Sequence, residues 1–127
     1  TGVQTCALPI CEDYFRQKES EALSETKILR NVVIATGGGI VEKEENRLFL
    51  KNEDKVIFLD STPERQYERT KESRKRPLIN NGDRLEILKK LYQKRFNFYE
   101  AVSKIKISMD NLNTEEILKK IINFLNK

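Results

Sequence analysis

Between Glu12 and about Leu29, Phe15, Glu19, Ala22, Leu23, Thr26 and Leu29 fall at spacings of three and four and predict a first amphipathic helix. Val32-Val33-Ile34-Ala35 follows as a β-branched run without polar alternation, the pattern of a strand buried on both faces. Thr36 and the glycines 37 to 39 end it. A short helix is expected over 44–50, and Val56-Ile57-Phe58-Leu59 repeats the buried-strand pattern before Asp60. Ser61-Thr62-Pro63-Glu64 then reads as a helix start: a hydroxyl cap, proline at the first helical position and an acid in the first turn. That helix runs to about Glu72, and Pro77 bars helical geometry at Arg76.

A loop continues through Asn80-Asn81-Gly82-Asp83. Leu85, Leu88, Leu91, Tyr92, Phe96, Tyr99 and Val102 trace the cleanest amphipathic stripe in the chain, a helix over about 84–102. Ile105-Lys106-Ile107-Ser108 alternates as a strand at a wetter sheet edge does. Asn113 with Glu116 is a capping pair for a last helix carrying Ile117, Leu118, Ile121, Ile122 and Leu125. Strands alternating with helices predict parallel pairing in an α/β layered fold.

The 127 residues, 38% hydrophobic and 35% charged, suffice for one modest core, so one domain is expected. The formal net charge of +4 is spread along the chain, which suits an anionic small molecule better than nucleic acid. Every apolar run falls far short of the roughly 20 residues that span a bilayer, and the sequence reads as soluble and cytoplasmic. Cys6 and Cys11 have no histidine or second cysteine pair beside them, and imply neither a disulfide framework nor a zinc site. The complete lack of histidine removes Ser-His-Asp and Cys-His nucleophiles, histidine-ligated metals and histidine bases together. Chemistry must come from carboxylates, cations and backbone dipoles.

Consecutive glycines beyond the carboxyl end of a strand let backbone N–H groups approach a ligand unobstructed, although a plain turn also uses glycine. Arg74-Lys75-Arg76-Pro77 is either a cationic lid over a polyphosphate or a solvated basic loop. Arg16 beside Phe15, and Arg95 beside Phe96, place guanidinium groups next to apolar stripes, where each either grips a carboxylate or snorkels to water.

Taken in order, Phe15-Arg16-Gln17-Lys18-Glu19, Val33 to Gly39, Glu68-Arg69-Thr70, Arg76-Pro77-Leu78 and Arg95 through Tyr99 resemble shikimate kinase, from about Glu12 to the C-terminus. Residues 1–10 resemble a translated sequencing adaptor instead, leaving 11–127 as a partial shikimate kinase-like domain with a lid at about 73–83. The fold implied is α/β: an incomplete P-loop kinase-like sheet of parallel strands, of the nucleoside monophosphate kinase type, flanked by helices. By the same resemblance Arg16, Gly38, Gly39 and Arg95 hold shikimate, Arg76 is the catalytic lid arginine, and Arg69 and Arg76 act on ATP. Those residue types suit an acceptor with one carboxylate and several hydroxyls, since guanidinium groups take the carboxylate and glycine N–H groups add neutral donors. Thr36 stands where many P-loop enzymes carry an aspartate, as the family commonly has it. Phe96-Asn97-Phe98 departs from the family, which usually has a proline between that arginine and tyrosine.

A larger departure is that no Gly-x-x-x-x-Gly-Lys-Ser/Thr occurs, because none of the glycines at 2, 37, 38, 39 and 82 precedes a lysine. The family's phosphate-loop lysine, its Mg²⁺-binding hydroxyl and its acceptor-binding aspartate are then expected upstream of this sequence. In the family the phosphate-loop strand lies between those resembling Val32 to Ala35 and Val56 to Leu59, so its loss predicts two unpaired inner edges and an unstable chain. The expected activity of the natural protein, a monomer, is ATP- and Mg²⁺-dependent phosphorylation of shikimate, with this chain inactive. Gluconate kinase, or a non-catalytic module binding an anionic metabolite, is the alternative.

Overall fold

A computed structural model describes residues 9–70 and 81–127, with side chains from 11 to 70 and from 83 onward. The chain divides into two compact units, Thr1–Asn52 and Glu53–Lys127.

In the first unit, α1 (Pro9–Glu25) carries Glu12 in its first turn, where a negative charge complements the helix dipole. Cys11 is disulfide-bonded. The helix tightens into a 3-10 turn at Thr26–Ile28, closed by Leu29 N–H donating to the Thr26 carbonyl at 2.9 Å. Asn31 then takes a left-handed backbone (φ 56°), which asparagine tolerates better than most residues.

Val32 to Ala35 forms no strand and is not buried: Val33 is 98% exposed, and Val32 and Ile34 are exposed as well. A β-branched run becomes a strand only when its backbone finds a partner ladder, and none of the described residues supplies one.

After Gly37 (φ 76°) the chain enters a 3-10 helix at Gly38–Glu42 and then α2 (Glu44–Lys51). Leu23, Ile40, Val41 and Leu50 are the buried apolar side chains of this unit, each worth about 1.5–3 kcal/mol by area. Buried Asn46 donates its side-chain amide to the Ile40 carbonyl at 2.9 Å, and Arg47 Nη1 donates to the Val41 and Glu42 carbonyls at 2.7 and 3.2 Å. The second helix thus satisfies carbonyls that a 3-10 turn leaves open, and fixes the segment following the glycines.

In the second unit β1 (Ile57–Asp60) and β2 (Ile105–Ser108) pair in parallel, Ile57 opposite Ile105 and Asp60 opposite Ser108. The ladder is extended by Lys104 N–H to the Val56 carbonyl and Met109 N–H to the Asp60 carbonyl, both 2.8 Å. Two helices make the crossover that parallel pairing needs, α3 (Pro63–Thr70) and α4 (Asn81–Val102), and α5 (Thr114–Leu125) follows β2. The α4 helix starts before Arg84, taking in Asn81 and Gly82 that were expected in the loop.

Its aromatic stripe covers β1. Phe58 lies 5.9 Å from Phe96 and 4.9 Å from Tyr99, ring centre to ring centre, and Tyr92 lies 5.3 Å from Phe96. Buried Arg84 at the start of α4 donates to the Thr70 carbonyl at the end of α3, 2.6 Å away. The expected alternation of β2 holds, with Ile107 buried and Lys106 and Ser108 exposed. By contrast β1 is half-buried rather than covered on both faces, and Leu59 is exposed.

Candidate functional site

The glycine turn of the first unit is built against a cation. Arg16 on α1 pairs through Nη1 with Oε1 of Glu19 at 2.8 Å, both side chains being largely buried, and its Cζ stands 5.2 Å from the centre of the Phe15 ring. The guanidinium lies directly over Gly39: a Cβ there would collide with Nη1, Nη2 and Cζ of Arg16. Only glycine allows this approach. Gly37 needs its positive φ for a different reason, since a Cβ on it would meet nothing within 4 Å. Gly38 opens the 3-10 helix on the exposed side of the turn, and Thr36 Oγ1 donates to the Gly37 carbonyl at 3.1 Å. A guanidinium beside a glycine backbone can engage a carboxylate by charge-assisted bonds while main-chain groups engage neighbouring hydroxyls.

A second polar cluster stands at the carboxyl ends of the parallel strands, where α/β sheets bind ligands. Asp110 Oδ1 accepts from the Ser61 hydroxyl at 2.8 Å, and its Oδ2 accepts from Thr62 N–H at 3.1 Å. Arg69 Nη2 donates to Ser61 Oγ at 3.0 Å and lies 3.9 Å from Asp110 Oδ1. Burial alone would raise the Asp110 carboxyl, but the Thr62 backbone, the Ser61 and Thr62 hydroxyls and the nearby Arg65 outweigh it, and the group is held below its ordinary value. Arg69, Gln66, Thr70 and Leu88 line an open cavity of about 240 Å³.

Arg95 lies half-buried on α4, next to Phe96 of the aromatic stripe. Arg76 and most of the expected lid, residues 73–80, are outside the described residues. Arg16 and Gly39 are therefore together in the first unit, and Arg69 and Arg95 belong to the second. Asp110 was not singled out from the sequence, and Ser61 only as part of the helix start before Pro63. Their one signal there is position, a polar residue just past the end of each parallel strand.

The family model for shikimate kinase matches residues 7–126. The chain belongs to the shikimate kinase family. It is 37% identical over 115 residues to the shikimate kinase of Buchnera aphidicola from Acyrthosiphon pisum, a match covering 90% of this chain and 66% of that protein. To the shikimate kinase of Hahella chejuensis it is 35% identical, over 87% of this chain and 58% of the relative. Among solved structures, shikimate kinase from Acinetobacter baumannii in complex with shikimate superposes with a TM-score of 0.81 at 29% identity, over 93% of this chain and 66% of that one. The chain spans no more than about two-thirds of the length of these relatives. The family has the α/β fold expected, and the parallel pair flanked by helices is the part of that fold described here.

Proposed function

We propose that the natural full-length protein transfers the γ-phosphoryl group of ATP to the 3-hydroxyl of shikimate, and that this chain is a fragment without that activity. In that reaction the 3-hydroxyl oxygen bonds to the γ-phosphorus, the bond to the β–γ bridging oxygen breaks, ADP leaves and the hydroxyl proton is released. The single observation that carries the reading is the Arg16 guanidinium seated on Gly39 in a chain of this family.

In this reading Arg16 binds the shikimate carboxylate, with Gly38 and Gly39 offering main-chain donors to the ligand. Arg95 supplies a further guanidinium to the same ligand, Arg76 neutralises charge on the transferring phosphoryl, and Arg69 meets the nucleotide. Among the described residues no group of histidine, cysteine, aspartate and glutamate could hold a metal ion. In this reading the phosphate loop and the Mg²⁺-binding hydroxyl lie upstream of this sequence, which has no Gly-x-x-x-x-Gly-Lys-Ser/Thr, and no step through the metal is assigned to these side chains. Among the described residues no helix is long and apolar enough to cross a membrane.

Sequencing the genomic region upstream of the codon for Glu12 tests the fragment reading. A strand-loop-helix with Gly-x-x-x-x-Gly-Lys-Ser/Thr in frame is expected; a native start codon at the present terminus would sink it. The enzyme so recovered should consume ATP only when shikimate is present. Arg95→Lys should raise the KM for shikimate, because an ammonium does not reproduce a planar fork, and an unchanged KM would remove Arg95 from the site.

A further inference from the structure

Both long polar side chains lining the cavity beside α3 are fastened to one residue. Gln66 Nε2 donates to the Ser61 carbonyl at 2.8 Å, and Arg69 Nη2 donates to the Ser61 hydroxyl at 3.0 Å. Ser61 is itself buried, and its hydroxyl proton goes to Asp110, which follows β2 and lies 49 residues away in sequence. The second Asp110 oxygen takes Thr62 N–H at the start of α3. A single carboxylate thus ties the segment after β1 to the segment after β2.

Arg69 is nearly half exposed and long, so without a fastening its guanidinium would sample many rotamers. Fixed beforehand, it loses less freedom when a ligand arrives. A planar guanidinium, a primary amide and the apolar side chain of Leu88 around one open cavity suit a flat heteroaromatic ring, which stacks on the first and hydrogen-bonds to the second.

We infer that Asp110 is a positioning residue for the nucleotide, holding Ser61 and through it Arg69 and Gln66 in the arrangement that receives the base. The inference rests on the proposed nucleotide contact of Arg69 and adds the two residues that make the contact possible.

The test is a double-substitution cycle in the full-length protein, measuring kcat and both KM values. Arg69→Ala is expected to raise the KM for ATP by about tenfold, and Asp110→Asn by about fivefold, with kcat and the KM for shikimate within about twofold of the parent. In the Arg69→Ala background, Asp110→Asn should add less than about twofold, because the residue it positions is gone. Asp110→Glu should recover part of the loss. If Asp110→Asn does not fold, Ser61→Ala removes the same bridge and should raise the KM for ATP in its place. An Asp110 effect that multiplies fully with that of Arg69, or falls equally on both substrates, overturns the positioning role alone. An Arg69→Ala enzyme with parental KM for ATP overturns the nucleotide reading of Arg69 and this inference with it.

Discussion

The guanidinium of Arg16 occupies the space that a β-carbon on Gly39 would need. Gly39 lacks the positive φ of Gly37, so alanine suits its backbone, and the atoms in the way belong to the end of a flexible side chain. Gly39→Ala should therefore push Arg16 off Glu19, and disrupting that largely buried pair should cost about 1–3 kcal/mol of stability. In the full-length protein the expected result is a KM for shikimate raised by about tenfold or more, with ATP unaffected. Thermal unfolding and steady-state kinetics on one preparation separate the two effects.

Gly37→Ala should lose stability for a different reason and leave the Arg16–Glu19 pair in place. Its Cβ meets no atom within 4 Å, so the cost is the backbone alone: φ 76° with ψ 161° is an extended positive-φ conformation that essentially only glycine adopts, worth about 1–3 kcal/mol. Urea denaturation should show the midpoint falling without a change in slope; an unshifted midpoint would mean the turn relaxes out of that conformation.

Asn113 Oδ1 accepts from Glu116 N–H at 2.8 Å, and Glu116 Oε1 accepts from Asn113 N–H at 3.1 Å, closing a reciprocal cap on α5. Asn113→Ala should cost about 1 kcal/mol, and Asn113→Asp should retain most of the stability. Equal losses in the two variants would show that the helix start is held by packing.

Tyr92 donates its hydroxyl to Asp60 Oδ1 at 3.1 Å, and burial, followed by that bond and the Asp60 charge, pushes the phenol up to about 12 from its ordinary 10.0. A pKa raised in the folded state gives stability that is complete below the unfolded value and lost as pH rises through the folded one. Tyr92→Phe should be about 1 kcal/mol less stable at neutral pH. The gap between variant and parent should then narrow between pH 10 and about 12. A gap constant across that range would deny Tyr92 a raised pKa.

The 127-residue chain expressed alone should be aggregation-prone, because Ile28, Leu29, Val32, Val33 and Ile34 are exposed in a stretch of seven residues. On α5, Leu118, Ile122 and Leu125 add a second exposed apolar face. Size-exclusion chromatography with scanning calorimetry decides the matter: a soluble monomer with one cooperative transition would contradict it.

What the sequence determined by itself are the features whose hydrogen bonds close within a few residues or whose spacing repeats. The start of α3 is one, with Arg65 N–H donating to Thr62 Oγ1 at 3.3 Å ahead of Pro63. The reciprocal cap of α5, the aromatic stripe of α4 and the alternation of β2 are others, and the ordered motifs were enough for the family. Tertiary structure decided everything that needs a distant partner. Val32 to Ala35 has the composition of a strand, yet a strand exists only when another backbone accepts its ladder. Ser61 and Asp110 are unremarkable polar residues until the parallel pairing of β1 and β2 brings the loops after them within 2.8 Å. Arg16 and Gly39 could be suspected of sharing a ligand from their order in the chain, but only packing shows that one needs the other to lack a side chain.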